Sequence, residues 1–108
     1  MSKTPIERYR ERYDEIKREI IQISESYTLM KKGKFIADLN ADETSHMGML
    51  YYELRELVKE LKTLFLHGVE IPMIYRKMVN NLMYNIKLCT DAEIMEEIRK
   101  DTTGEILL

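Results

Sequence analysis

Apolar residues recur along the first third of the chain at alternating spacings of three and four positions. Eight residues make up this row: Ile6, Tyr9, Tyr13, Ile16, Ile20, Ile23, Tyr27 and Met30. A repeat of about 3.5 residues is typical of the contact stripe of a coiled coil or a helical bundle. Because a single helix cannot bury such a stripe by itself, the pattern predicts a helix over residues 5–32 that packs against another helix.

A second stripe of the same kind follows, and it is wider. Its main row consists of Met47, Leu50, Leu54, Leu57, Leu61 and Leu64. Tyr51, Val58 and Phe65 repeat every seven positions beside that row, which gives three apolar positions per heptad. This width is expected of a helix that touches two neighbours. Residues 41–67 are therefore predicted to form a helix with two packing partners.

The third predicted helix, residues 72–89, has two distinct faces. Its apolar arc contains Ile74, Tyr75, Met78, Val79, Leu82, Met83, Ile86 and Cys89. Its opposite face is polar and basic, and contains Arg76, Lys77, Asn80, Asn81, Tyr84 and Lys87. Thr90 and Glu93 then match a capping box, which predicts a short fourth helix over residues 91–100. Residues 101–108 are predicted to form a tail.

These elements predict an all-α fold: a small helical bundle in a single domain of 108 residues. The two long helices match in length and have a short connection, which favours an antiparallel hairpin with the third helix packed on it. In that hairpin Arg12 is predicted to lie near Glu60, an attractive pair of opposite charges. Glu19 is predicted to lie near Glu53, a repulsive pair of like charges. A parallel dimer through the first helix would instead set Arg12 against Lys17 of the partner. A homodimer of hairpins remains open.

The charges are arranged by helix, although the net charge is only −2. Residues 1–34 hold nine basic and six acidic side chains, and residues 71–90 hold three basic and none acidic. Residues 35–70 and 91–108 each carry a net charge of −4. Two explanations are open: neighbouring helices complement each other within the fold, or a basic face is kept for an acidic partner.

The residue types that carry catalysis are scarce and scattered. His46 and His67 are separated by about 31 Å along one helix, so they cannot share a site within one chain. Cys89 is the single cysteine and lies on the apolar arc, which indicates a core residue rather than a nucleophile. Glu43 and His46 match one element of a di-iron site, but the second copy that such a site needs does not occur. Glycine-rich phosphate loops, a nucleophile elbow and zinc spacings are missing. The prediction is a protein that is not an enzyme and has no cofactor and no metal.

The targeting signals are equally sparse. The first residues lack an apolar signal core, and no apolar run approaches the ~18 residues of a membrane span. Together with a single cysteine, this predicts a cytoplasmic protein without a membrane partner. The richness in Met, Ile, Lys and Tyr would suit a phage or viral accessory factor, for which the compartment is the host cytoplasm.

Binding is the remaining class of function, and we expect a regulatory protein–protein interaction module, such as a small adaptor, inhibitor or assembly factor. The alternative is a nucleic-acid-associated accessory protein that uses the basic face of the third helix, although the sequence pI of about 5.7 disfavours it. Three groups of partner-binding residues are predicted: the seam tyrosines Tyr9, Tyr13 and Tyr27; the polar face Arg76, Lys77, Asn80, Asn81, Tyr84 and Lys87; and the terminal Ile106, Leu107 and Leu108.

Overall fold

Three α-helices make up most of the part of the chain that the computed structural model describes, residues 2–90. They are α1 (Pro5–Lys31), α2 (Ala41–Leu66) and α3 (Met73–Leu88), with a single 3-10 turn at Ile36–Asp38 between α1 and α2. Residues 2–90 contain no strand, so the predicted all-α class is confirmed. The fourth helix and the tail, predicted over residues 91–100 and 101–108, lie outside the described residues.

Each helix is slightly shorter than its apolar pattern suggests. α1 and α2 each end one residue earlier than expected, and α3 loses one residue at both ends. α3 begins one residue late because Pro72 has a ψ of 142°, which is an extended value, so the first helical residue is Met73.

Side-chain caps fix where the two long helices begin. The Thr4 hydroxyl accepts a hydrogen bond from the backbone N–H of Glu7 at 3.3 Å. Asn40 Oδ1 accepts from the N–H of Glu43 at 2.8 Å, and the Glu43 carboxylate accepts from the N–H of Asn40 at 3.1 Å. These bonds satisfy amides that have no partner inside the helix. After α1, Gly33 takes a φ of 69°, a left-handed value that favours glycine.

The core lies where the two stripes meet α3. All six residues of the main α2 row are buried, and α1 contributes Ile16, Ile20 and Ile23. α3 adds Val79, Met83 and Ile86. The other residues of the α1 row are half-buried and pack against this core, namely Ile6, Tyr9, Tyr13, Tyr27 and Met30. The stripes therefore do predict which faces turn inward.

Polar and aromatic contacts join the start of α1 to the end of α2. Arg12 donates two hydrogen bonds to Glu60, from Nε at 2.7 Å and from a terminal nitrogen at 2.8 Å. The rings of Tyr9 and His67 lie 4.8 Å apart between centroids. The predicted proximity of Arg12 to Glu60 is thus confirmed.

α3 contacts both long helices, but it does not bury its whole apolar arc against them. Tyr75 meets Tyr13 of α1 edge-to-face, with 6.1 Å between ring centroids. On the other side, Arg76 lies over the Phe65 ring of α2. Ile74 and Met78, two residues of the arc, remain 69% and 61% exposed. Part of the arc therefore faces away from the core formed by residues 2–90.

Candidate interaction surfaces

The three seam tyrosines of α1 are in contact with the rest of the described chain. Tyr9 packs on His67 and Tyr13 on Tyr75. Tyr27 is half-buried, and burial raises its pKa, with the nearby Cys89 adding to the shift. Burial likewise raises the pKa of Tyr13. The rings therefore fill the edges of the α1 stripe, and only their margins are open to a partner.

The predicted polar face of α3 is divided by the fold. Lys77 and Asn81 are exposed, but the other four residues are half-buried: Arg76, Asn80, Tyr84 and Lys87. The Arg76 guanidinium carbon lies 4.9 Å from the Phe65 ring centroid, and Lys87 Nζ lies 5.9 Å from that of Tyr51. Arg76 and Lys87 thus turn toward α2, so the six residues differ in exposure and direction, and the binding role of this face stays a prediction.

An apolar cleft with basic edges opens between the end of α2 and the start of α3. We call it the Arg76 cleft; it has a volume of about 230 Å³ and is lined by Leu61, Lys62, Phe65, Leu66, Ile71 and Arg76. Leu61 and Ile71 are buried and form its floor, whereas Phe65 and Leu66 are 46% and 82% exposed. The cleft therefore combines an apolar surface with two cations.

The cations of this cleft lack anionic partners in the described part of the chain. Among residues 2–90, no carboxylate oxygen lies within 4.0 Å of a nitrogen of Lys62 or Arg76. Arg76 Nε is buried without a hydrogen-bond partner among those residues, and so is Oδ1 of the neighbouring Asn80. One terminal nitrogen of Arg76 approaches Met73 Sδ at 3.9 Å, which is a weak acceptor. The guanidinium therefore has donors left for a ligand.

A second opening lies between α1 and α3. This α1–α3 groove has a volume of about 220 Å³ and is lined by Lys17, Ile20, Ile21, Ser24, Tyr75, Met78, Val79 and Leu82. The Tyr75 hydroxyl is buried there without a partner among residues 2–90. Burial raises the pKa of Tyr75 to about 12. Within residues 2–90, Lys17 is the one charged residue that lines this groove, and most of the other lining side chains are apolar.

The third surface, between α1 and α2, is strongly polar. Arg12 lies 3.1 Å from Glu15 and 3.8 Å from Glu19, in addition to its two bonds to Glu60. These hydrogen bonds raise the pKa of Arg12 above its already high ordinary value, and its side chain lowers the pKa of Glu60. Glu19 and Glu53 line the same cavity, as expected, but Arg12 lines it with them and offsets their repulsion. Within residues 2–90, Arg12 is the one Lys or Arg that lines this cavity, against Glu19, Glu53 and Glu56, so the surface keeps a net negative charge.

The candidate reactive side chains of the described chain are His46, His67 and Cys89. His67 Nδ1 lies 2.7 Å from the carbonyl oxygen of Thr63 in its own helix. Cys89 is buried, and burial raises the pKa of its thiol. His46 is exposed near the other end of α2. In this part of the chain no group of three or more His, Cys, Asp or Glu side chains could hold a metal ion, and no helix is long and apolar enough to cross a membrane.

Sequence patterns did not point to the Arg76 cleft. Phe65 belonged to the second apolar row of α2, which predicted a packed position. Leu66 and Lys62 belonged to no pattern at all. A usable signal is present: Leu64, Phe65 and Leu66 are three consecutive large apolar residues, and at 3.6 residues per turn they spread over about 200° of the helix, so they cannot all face the core. The third predicted group, Ile106, Leu107 and Leu108, lies outside the described residues.

A scan against models of protein families and searches of curated proteins and of solved structures find no match to this chain. The interpretation of these surfaces therefore depends on their own geometry and chemistry.

Proposed function

We propose that the chain is a non-catalytic protein–protein interaction module, such as a small adaptor, inhibitor or assembly factor, that acts in the cytoplasm. The observation that supports this most strongly is the Arg76 cleft. Neighbouring exposed apolar side chains with a polar rim are typical of interaction sites, and here Phe65 and Leu66 border cations without anionic partners among residues 2–90.

The scaffold that we propose for this module is an antiparallel hairpin of α1 and α2 with α3 packed on both. The contacts of Arg12 with Glu60 and of Tyr9 with His67 support it, because each joins the first half of α1 to the end of α2. Such a hairpin leaves the Arg76 cleft on the outer side of the α2–α3 pair.

We also propose that a short fourth helix over residues 91–100 follows α3. Thr90 and Glu93 match a capping box at its start. Ile94, Met95 and Ile98 are the apolar residues through which it would dock on the other helices.

The test of the function is affinity capture with the full chain from its native cell, comparing wild type with Leu66→Glu. Leu66 is 82% exposed, so the substitution places a charge at the cleft without disturbing the core. Leu29→Glu is the matched control, because Leu29 is 75% exposed but lies on α1, outside the cleft. Bound proteins are identified by mass spectrometry, and thermal melting verifies that all three chains fold.

The proposal requires a protein that wild type and Leu29→Glu retain and Leu66→Glu loses. Equal capture by all three chains, or capture of no protein by any of them, would contradict binding through this cleft. If the protein retained is a second copy of the chain, the module is a homodimer, and light scattering over a dilution series will show the same association.

The alternative is a nucleic-acid-associated accessory protein, and the lack of any acidic residue in 71–90 favours it. Lys77 is exposed and Arg76 is half-buried, so both could reach phosphates. If nucleic acid binds there, affinity will fall steeply with salt, and replacing both side chains by alanine will reduce the slope of log K against log salt by about two. Unchanged slopes would exclude this alternative.

A further inference from the structure

We infer that the Arg76 cleft binds an acidic amphipathic helix of a partner protein, with a large apolar side chain in the cavity and a carboxylate on the Arg76 guanidinium. This inference rests on the proposed function and names the chemistry of the partner. It draws on three separate observations: the unsatisfied donors of Arg76, the apolar floor of the cleft, and the cleft's position between two helices.

The first observation concerns the guanidinium. Arginine stays charged at every physiological pH and offers five N–H donors in a planar fork. Arg76 Nε is buried with no hydrogen-bond partner among residues 2–90, and a terminal nitrogen donates only a weak hydrogen bond, to Met73 Sδ, within that part of the chain. A buried donor without a partner destabilises the protein by about 1–3 kcal/mol. Because Nε itself is buried, a carboxylate of a ligand would meet the terminal nitrogens of this fork, which donate charge-assisted hydrogen bonds.

The second observation concerns the cavity. Its floor is formed by the buried Leu61 and Ile71, and Phe65 and Leu66 form apolar walls. A dry cavity of about 150 Å³ accepts a benzene ring. The Arg76 cleft, at about 230 Å³, therefore has room for a leucine or phenylalanine side chain. A nucleic acid backbone carries no large apolar side group for this cavity, whereas an amphipathic helix does.

The third observation concerns orientation. Arg76 is held over the Phe65 ring at 4.9 Å, an attractive cation–π arrangement that limits the movement of the side chain. Lys62 supplies a second cation on the α2 side of the same cleft. The site is thus bounded by two helices and carries positive charge on both, which is the geometry that receives the apolar face of a third helix flanked by acids.

The test uses the full chain and four synthetic helical peptides of about 14 residues. The first peptide carries leucines at positions i, i+3, i+4 and i+7 with glutamates beside them. The second and third replace the glutamates by glutamine or by lysine, and the fourth keeps the glutamates but replaces the leucines by serine. Affinity is measured by fluorescence anisotropy, and the Nε–H resonance of Arg76 is followed by NMR.

The glutamate–leucine peptide is expected to bind most tightly and to move the Arg76 Nε–H resonance. Arg76→Gln should weaken its binding about 10- to 100-fold, because a hydrogen bond to a charged group is lost. Arg8→Gln is the matched control, since Arg8 is exposed on α1, and it should change affinity less than about twofold. Arg76→Glu should reverse the preference, so that the lysine peptide binds better than the glutamate peptide.

Specific results would overturn the inference. Equal binding of the glutamate, glutamine and lysine peptides would refute the inference that the partner is acidic. The proposed function would still stand if Leu66→Glu fails to capture the protein that wild type captures. Equal binding of the serine peptide, or of a short DNA duplex, would show that charge alone acts. If Glu93→Gln with Glu96→Gln moves the Arg76 resonance in the free chain, the chain's own acidic segment occupies the cleft and no partner helix is needed.

Discussion

The pairing of Arg12 with Glu60 offers the most direct test of how α1 lies on α2. The two side chains are 48 positions apart in sequence and share two hydrogen bonds of 2.7 and 2.8 Å. Their contact depends on the register of one helix along the other, because a shift of one residue would turn Arg12 away. We therefore predict a measurable coupling energy in a double-mutant cycle of Arg12→Gln and Glu60→Gln.

The expected coupling follows from exposure and geometry. The side chains of Arg12 and Glu60 are 33% and 45% exposed, so solvent screens much of their attraction. Exposed ion pairs contribute about 0.2–1 kcal/mol, and bidentate geometry places this pair near the upper end. Arg12 also lies near Glu15 and Glu19, so Arg12→Gln should destabilise the protein more than Glu60→Gln does.

The pH dependence of this coupling has a defined sign. The hydrogen bonds and charge of Arg12 lower the pKa of Glu60. A carboxylate whose pKa is lowered by folding stabilises the protein above the pKa it has in the unfolded chain. That contribution is lost as the pH falls through the lower folded-state pKa. The coupling should therefore be complete at pH 7 and absent once Glu60 is protonated.

Urea denaturation at pH 7 and at a series of lower pH values measures the free energy of unfolding for the four chains of the cycle. Glu56 and Lys59 are the control pair, because they lie 3.2 Å apart on one turn of α2 and are insensitive to the register of α1. Their coupling should stay within about 0.2–0.5 kcal/mol. A coupling between Arg12 and Glu60 that is zero at pH 7, or that persists after Glu60 is protonated, would refute the pairing.

Three further substitutions test the packing by thermal and urea unfolding. Gly48→Ala should stabilise the protein by about 1 kcal/mol, since Gly48 is inside α2 and an added Cβ would have no neighbouring heavy atom within 4 Å in the described chain. Destabilisation would show that the helix is irregular at this point. Leu54→Ala should destabilise the protein by about 2–5 kcal/mol, because Leu54 is fully buried. Leu29→Ala is the control and should change stability by less than about 0.5 kcal/mol. Similar effects at both positions would contradict the assignment of Leu54 to the core. Tyr75→Phe should stabilise the protein by about 1 kcal/mol by removing a buried hydroxyl without a partner among residues 2–90, and a loss of stability would show that the hydroxyl is bonded.

Much of the fold could be predicted because its strongest signal is local and repetitive. Leu50, Leu54, Leu57 and Leu61 recur at spacings that only a helix places on one side, and all four are buried. The caps are equally local, since Asn40 satisfies an amide three residues away. Such patterns involve residues only a few positions apart, so they can be recognised without knowledge of the tertiary contacts.

The candidate site could not be predicted in the same way, because it depends on which helix covers which face. The apolar arc of α3 is wider than the part of it that α1 and α2 bury. The sequence pattern does not show which residues of the arc those two helices contact. Ile74 and Val79 belong to the same arc, yet they are 69% and 2% exposed. Phe65 likewise has the pattern of a core residue and lies at the edge of a cleft.

Unsatisfied polar atoms link this exposed surface to function. Among residues 2–90, the side-chain atoms that are buried without a hydrogen-bond partner all belong to α3: the Tyr75 hydroxyl, Arg76 Nε and Asn80 Oδ1. Native proteins rarely bury such atoms, because each destabilises the fold by about 1–3 kcal/mol. Tyr75 lies on the α1 side of α3, and Arg76 and Asn80 lie on the α2 side. A single ligand therefore could not bond to the unsatisfied atoms on both sides. An acidic partner on the α2 side would bring acceptors to the Arg76 guanidinium, and Tyr75→Phe tests the cost of the hydroxyl on the α1 side.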